Sequence, residues 1–381
     1  MNMDFDTIRC YNNDEIHDAL MRLTDEKPFM KVVSTVYPLL PKELIKQRLS
    51  SYKSAYEFQV GFIFPFLQDL EANLTKGIDF KGLERIDAQN SYLYISNHRD
   101  IILDSAFLCA KLIERKMDTV EIAIGDNLLI FPWIEELVRV NKSFVVRRGL
   151  SARQMLESSK LLSAYIAYAV NEKHQSVWLA QREGRAKDSN DRTQESLLKM
   201  LNMGGTGTFA ENLAALHICP LSISYEYDPC DYLKAKEFQQ KRDNPDFKKQ
   251  PQDDLINMKT GVMGYKGKVV YRLAGEISEK IQELAANIQD RNEIIAAVAA
   301  LIDRKIHKNY EIYAINKIAY DLLKHTDQFK NEYSMMEKLD FEKYLEKQIE
   351  KIDMENKDEN FLRLKMLEMY ANPLINYLDA I

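Results

Sequence analysis

Three side chains within seven residues could do acid–base chemistry: His98, Asp100 and Asp104, in the stretch YLYISNHRDIILD from Tyr92. A histidine backed by a carboxylate makes a general base, because the acid fixes the imidazole tautomer and stabilises the imidazolium that forms. Two further stretches could hold an anion. SFVVRRG ends in Arg147 and Arg148, and VWLAQREGRAK carries Arg182, Glu183, Arg185 and Lys187 around Gly184. Guanidinium groups bind phosphate bidentately, so these basic residues read as an anion pocket. A base beside a phosphate clamp suits a reaction that makes a hydroxyl of a phosphorylated acceptor nucleophilic.

The elements that must position these residues alternate between strand and helix. Apolar and β-branched runs predict strands at 92–96, 119–124, 143–147, 176–180, 218–225 and 268–273. Helices are predicted at 101–115 and 151–172. This alternation implies an α/β fold, a mixed sheet flanked by helices, with ligands at the strand ends. Three regions are expected: a helical leader over 1–85, the α/β domain over 86–280 and a helical C-terminal extension over 281–381. The aromatic run 58–67 is expected to be a core helix, with contact to a membrane surface as the alternative. The glycine-rich stretch 202–208 lacks the lysine of a nucleotide-binding loop and reads as a turn. The charged stretch 229–265 reads as an exposed insertion or mobile loop. Phe341, Tyr344, Leu345, Ile349 and Ile352 recur at helical spacing and form a core-facing stripe.

Composition narrows the classes further. Hydrophobic residues make up 46% of the 381, ample for a core, and the net charge of −6 argues against general nucleic-acid affinity. Phosphate binding must therefore be local. The four cysteines show no zinc-ligand spacing, so no metal and a reducing cytoplasm are expected. The opening stretch MNMDFDTIRCYNNDE is polar and acidic, unlike a secretion signal. No apolar run approaches the roughly 20 residues that span a bilayer.

The order NHR…D, FVVRRG, REGR and PLSISYE resembles the four sequence blocks of the glycerolipid acyltransferases, the superfamily of glycerol-3-phosphate and 1-acylglycerol-3-phosphate acyltransferases. The resemblance covers about residues 85–280. It implies that His98 deprotonates the acceptor hydroxyl, that Asp104 orients it, and that the hydroxyl attacks the thioester of a fatty acyl carrier. Arg147, Glu183, Gly184 and Arg185 would then hold the acceptor phosphate, with Arg148 and Lys187 beside them, and Pro220 would shape the acyl-side wall. The implied co-substrate is acyl carrier protein or coenzyme A as its thioester, with no cofactor. The implied acceptor is a phospholipid precursor, and the implied location is cytoplasmic, peripheral at the inner membrane face. One departure stands out: relatives have four residues between histidine and aspartate, and this chain has five between His98 and Asp104. Either Asp104 reaches back from the first helical turn or Asp100 orients the base. Asp104 is favoured, because an aspartate directly before an apolar helical run commonly caps it. N-acyl transfer to an amino acid or amino-lipid, and a catalytically inactive lipid-binding protein, are the alternative functions.

Overall fold

The computed structural model describes residues 4–381; the first three residues of the polar opening stretch and of the expected leader lie outside the described residues. Among the described residues, seven strands form a single sheet: β1 (Ile78–Lys81), β2 (Leu93–Ser96), β3 (Glu121–Gly125), β4 (Ser143–Val146), β5 (Val177–Ala180), β6 (Ile218–Tyr225) and β7 (Val269–Leu273). Their spatial order is β1-β7-β6-β2-β5-β3-β4. The run from β6 to β4 is parallel, β7 is antiparallel to β6, and β1 is parallel to β7. The carboxyl ends of β6, β2, β5, β3 and β4 thus share one edge of the sheet, where ligands of such sheets bind.

Strand β2 is central, and its alternation explains why both faces are covered. Leu93 and Ile95 join a core with the helices Ala152–Asn171 and Arg291–Lys308. Tyr94 joins the opposite core with Phe107 and Leu108 of the helix Leu103–Glu114. A strand buried on both sides needs apolar residues at every position, which is why Leu93 to Ser96 carry no charge. Helices also form both ends of the chain, as the sequence implies.

Two expectations need correction, and one alternative is narrowed. Strand β1 lies within the stretch expected to be wholly helical, and it pairs with β7. The 229–265 stretch is exposed and irregular chiefly in its middle, over 241–250: it otherwise folds into the helices Asp231–Asp243 and Pro251–Met263. In the first helix Lys234 is buried against Asp228 and Asp231 against the hydroxyls of Tyr344 and Tyr370, which is what permits these groups to leave water. In the 58–67 run, Phe58 and Phe62 stack at 5.6 Å within the core of the first helices, and so cannot touch a membrane. The stripe from Phe341 to Ile352 faces the core of the last helices, as expected. No helix among the described residues is long and apolar enough to cross a membrane.

Candidate active site

His98 stands two residues beyond the end of β2, on a corner held from both sides. Asn97 exchanges two hydrogen bonds with the backbone of Ile223 in the neighbouring β6, each 2.8 Å. The Trp178 indole N–H of β5 donates to Ser96 Oγ at 3.0 Å, and its ring meets His98 edge-on at 5.5 Å. The strand ends on either side of β2 thereby fix where the imidazole begins.

Asp104, fully buried in the first turn of the Leu103–Glu114 helix, places Oδ2 2.8 Å from His98 Nδ1. The same oxygen accepts from the backbone N–H of Arg99 at 2.6 Å and of Asp100 at 3.1 Å. Nδ1 meets a carboxylate that only accepts, so it is the protonated nitrogen of the neutral ring, leaving Nε2 as the acceptor. Asp100 does something else. Its Oδ1 accepts from the backbone of Ile102 at 2.9 Å and Leu103 at 2.8 Å, capping the helix start. Burial and the neighbouring Asp104 charge push its carboxyl above the usual range. The extra residue between histidine and aspartate is taken up in this capped turn, and it is Asp104 that meets the imidazole.

The helix Pro251–Met263 roofs this corner. A Cβ at Gly261 would lie 1.9 Å from Asp100 Oδ2, so only glycine allows so close an approach. One turn earlier, Asn257 Oδ1 accepts from Arg185 Nη2 at 3.0 Å. Arg185 is therefore brought under the same helix as Asp100, with its Nη1 buried and without a partner. Arg182 Nε and both polar atoms of Gln181 are also buried without partners. Gly184 takes a left-handed turn, φ +67°, with open space where a side chain would stand.

The remaining predicted residues divide. Arg148 pairs with Glu183 at 2.8 Å, joining the ends of β4 and β5. Arg147 is partly exposed; it donates to the Thr7 carbonyl at 3.2 Å and lies 4.0 Å from Asp126. Neither arginine has a hydrogen bond to the histidine corner among the described residues. Lys187 pairs with Glu237 of the Asp231–Asp243 helix. Pro220 lies inside β6 opposite Ile95, upstream of the strand end. Sequence reasoning passed over Asn97, Arg99, Trp178, Asp191, Asn257 and Gly261. Arg99 alone left a signal, a charge set between a strand and an apolar helix; the others bear on the site only through partners distant in the chain.

The α/β sheet thus carries a histidine–carboxylate pair and several arginines at its carboxyl edge. A family model described as acyltransferase matches residues 77–224, the segment in which all four sequence blocks begin. By this match residues 77–224 are an acyltransferase domain. No curated protein sequence matches the chain. Among solved structures, the chain is similar to the 1-acyl-sn-glycerophosphate (LPA) acyltransferase PlsC from Thermotoga maritima. That match has a TM-score of 0.39 and 10% identity, over 78% of this chain and 97% of that one.

Proposed function

We propose that the protein transfers a fatty acyl group from a thioester, of acyl carrier protein or coenzyme A, to a hydroxyl of a glycerol-phosphate acceptor. Glycerol 3-phosphate and its 1-acyl derivative are the acceptors proposed, and phospholipid synthesis the process served. The observation that carries this reading is His98 at the end of β2 with Nδ1 on the buried Asp104 carboxylate. His98 Nε2 takes the acceptor proton, the hydroxyl oxygen attacks the thioester carbonyl, and the tetrahedral adduct expels the thiolate. The thiolate takes the proton back from the imidazolium, so the base is regenerated. No cofactor enters this sequence.

Arg185, with a buried and unpartnered Nη1, is the group best suited to the acceptor phosphate, and Gly184 beside it leaves backbone space for one. Arg147, Arg148, Glu183 and Lys187 would border that pocket. Their present pairings with Asp126, Glu183 and Glu237 would have to open for them to contact a ligand. Pro220 in this reading acts on the acyl side only through the packing of β6. Purified protein should move labelled acyl groups from one of the two thioesters to one of the two acceptors; no transfer in any combination would refute the proposal.

A lipid acceptor also calls for contact with a membrane, and Phe58 and Phe62, being in the core, do not supply it. Leu39, 93% exposed between Pro38 and Pro41, stands with the exposed Val32 and Leu44 on the helices Lys27–Val36 and Lys42–Ser51 and their connection. The same helices carry Lys27, Lys31, Lys42 and Lys46 around a cleft of about 690 Å³. Apolar side chains among lysines suit the boundary of an anionic bilayer.

A further inference from the structure

Arg99 follows the proposed base directly. Its backbone N–H donates to Asp104 Oδ2 at 2.6 Å, the oxygen that His98 Nδ1 also meets. Its guanidinium is buried and grips both carboxylate oxygens of Asp191, Nη1 to Oδ1 at 3.1 Å and Nη2 to Oδ2 at 2.6 Å. Burial works against that charge, but Asp191, Tyr310 and Asp228 together more than offset it and keep the guanidinium protonated. A bidentate pair of this kind has one geometry, so it fixes the backbone that carries it.

Asp191 is itself held from the C-terminal part of the chain. The Tyr310 hydroxyl donates to Asp191 Oδ2 at 2.6 Å, and His307 Nε2 lies 2.9 Å from the Asp191 carbonyl oxygen. Two residues on, the Thr193 N–H and hydroxyl both donate to Asp303 Oδ1, at 2.7 and 2.6 Å. The Arg291–Lys308 helix and the turn after it thus grip the 191–193 loop at three points, and that loop grips Arg99. Asp104 Oδ2 must stay within reach of donors on residues 98, 99 and 100 at once. A shift of the Arg99 backbone therefore opens the contact between His98 and Asp104.

We propose that Asp191, backed by Tyr310, is a positioning residue for the His98 base, which makes the segment from Arg291 to Tyr310 part of the catalytic apparatus. This rests on the reading of His98 as the base given above. In the full-length protein, Asp191→Asn keeps the shape and removes the charge that holds Arg99. Its kcat should fall by about 10- to 100-fold while KM for donor and acceptor stays within about twofold. Tyr310→Phe, which removes a single hydroxyl, should lower kcat less and in the same way. Arg139→Lys is the control: it weakens a buried arginine clamp on Glu135 and the carbonyls of Thr7 and Arg9, and should change thermal stability but not kcat.

A second readout needs no substrate. In protein labelled with ¹⁵N-histidine, and with His98 assigned through His98→Ala, the His98 Nδ1–H signal should be present in the unaltered chain and lost or broadened in Asp191→Asn. Retention of both kcat and that signal in Asp191→Asn and Tyr310→Phe, with only a lower melting temperature, overturns the proposal. If the unaltered protein transfers no acyl group, the catalytic reading falls. The Nδ1–H signal then decides the positioning role by itself: loss in Asp191→Asn supports it, and persistence refutes it.

Discussion

Replacing Asp104 by asparagine, and separately Asp100, should separate the two acids beside His98. Asp104 Oδ2 accepts three hydrogen bonds, from His98 Nδ1, Arg99 N and Asp100 N, at 2.8, 2.6 and 3.1 Å. A hydrogen bond to a charged acceptor is worth ~1.5–3 kcal/mol, against ~0.5–1.5 for a neutral one. Removing the charge should therefore weaken each bond by about 1 kcal/mol and the corner by about 3 kcal/mol. If that loss falls on the transition state, where the imidazolium needs the carboxylate most, kcat drops by about 10²-fold. Asp100 makes two cap bonds, to Ile102 and Leu103, and asparagine caps a helix as well as aspartate does. Asp100→Asn should keep kcat within about threefold. The assay is initial-rate transfer of a labelled acyl group under saturating donor, with melting temperatures recorded for both variants. An inactive Asp100→Asn beside an active Asp104→Asn would refute the assignment.

Other consequences are open to direct measurement. Phe62→Ser should destabilise the protein by about 3–5 kcal/mol, as truncation of a buried aromatic does, visible in urea denaturation; a fold unaffected by the change would contradict its place in the core. Leu39→Ser combined with Lys27→Glu and Lys42→Glu should weaken sedimentation with phosphatidylglycerol vesicles and leave the melting temperature unchanged. Binding that is intact, or insensitive to salt, would remove this surface from the account. Burial pushes the Asp231 carboxyl up to about 6 against the hydroxyls of Tyr344 and Tyr370, which favour its charge. The folded chain therefore holds a proton between about pH 4 and 6 that the unfolded chain has released, and this contribution to stability is lost as pH rises through about 6. Relative to Asp231→Asn, the unaltered protein should lose stability over that window and level off above it. A difference that does not vary with pH would place the ionised form in the folded state.

Much of the sheet was legible because its strands are apolar on both faces. Ile218 to Tyr225 coincides with β6, and the predicted stretch from Tyr92 differs from β2 by a single residue. Strand β1 escaped because four residues with a lysine and an aspartate among them, Ile78 to Lys81, read equally as the tail of a helix; only pairing with β7, far along the chain, makes them a strand. The buried ends of the charged 229–265 stretch escaped for a related reason. Lysine and aspartate predict exposure until their partners are known, and Lys234, Asp231 and Asn257 find theirs in other elements. At the site, a carboxylate near His98 could be read from local spacing, and so could its competition with Asp100. The clamp of Arg99 on Asp191, 92 positions away, and the approach of Gly261 to Asp100 could not, because both depend on which loops the sheet order brings together.

A donor-by-acceptor activity matrix on the unaltered chain and on His98→Ala tests most directly whether His98 is the base of an acyl transfer. Acyl carrier protein and coenzyme A thioesters would be crossed with glycerol 3-phosphate, its 1-acyl derivative and an amine acceptor. One thioester and hydroxyl pair should be productive, with turnover reduced by roughly 10²–10⁴-fold in His98→Ala and the fold retained. Turnover that survives His98→Ala would contradict that role.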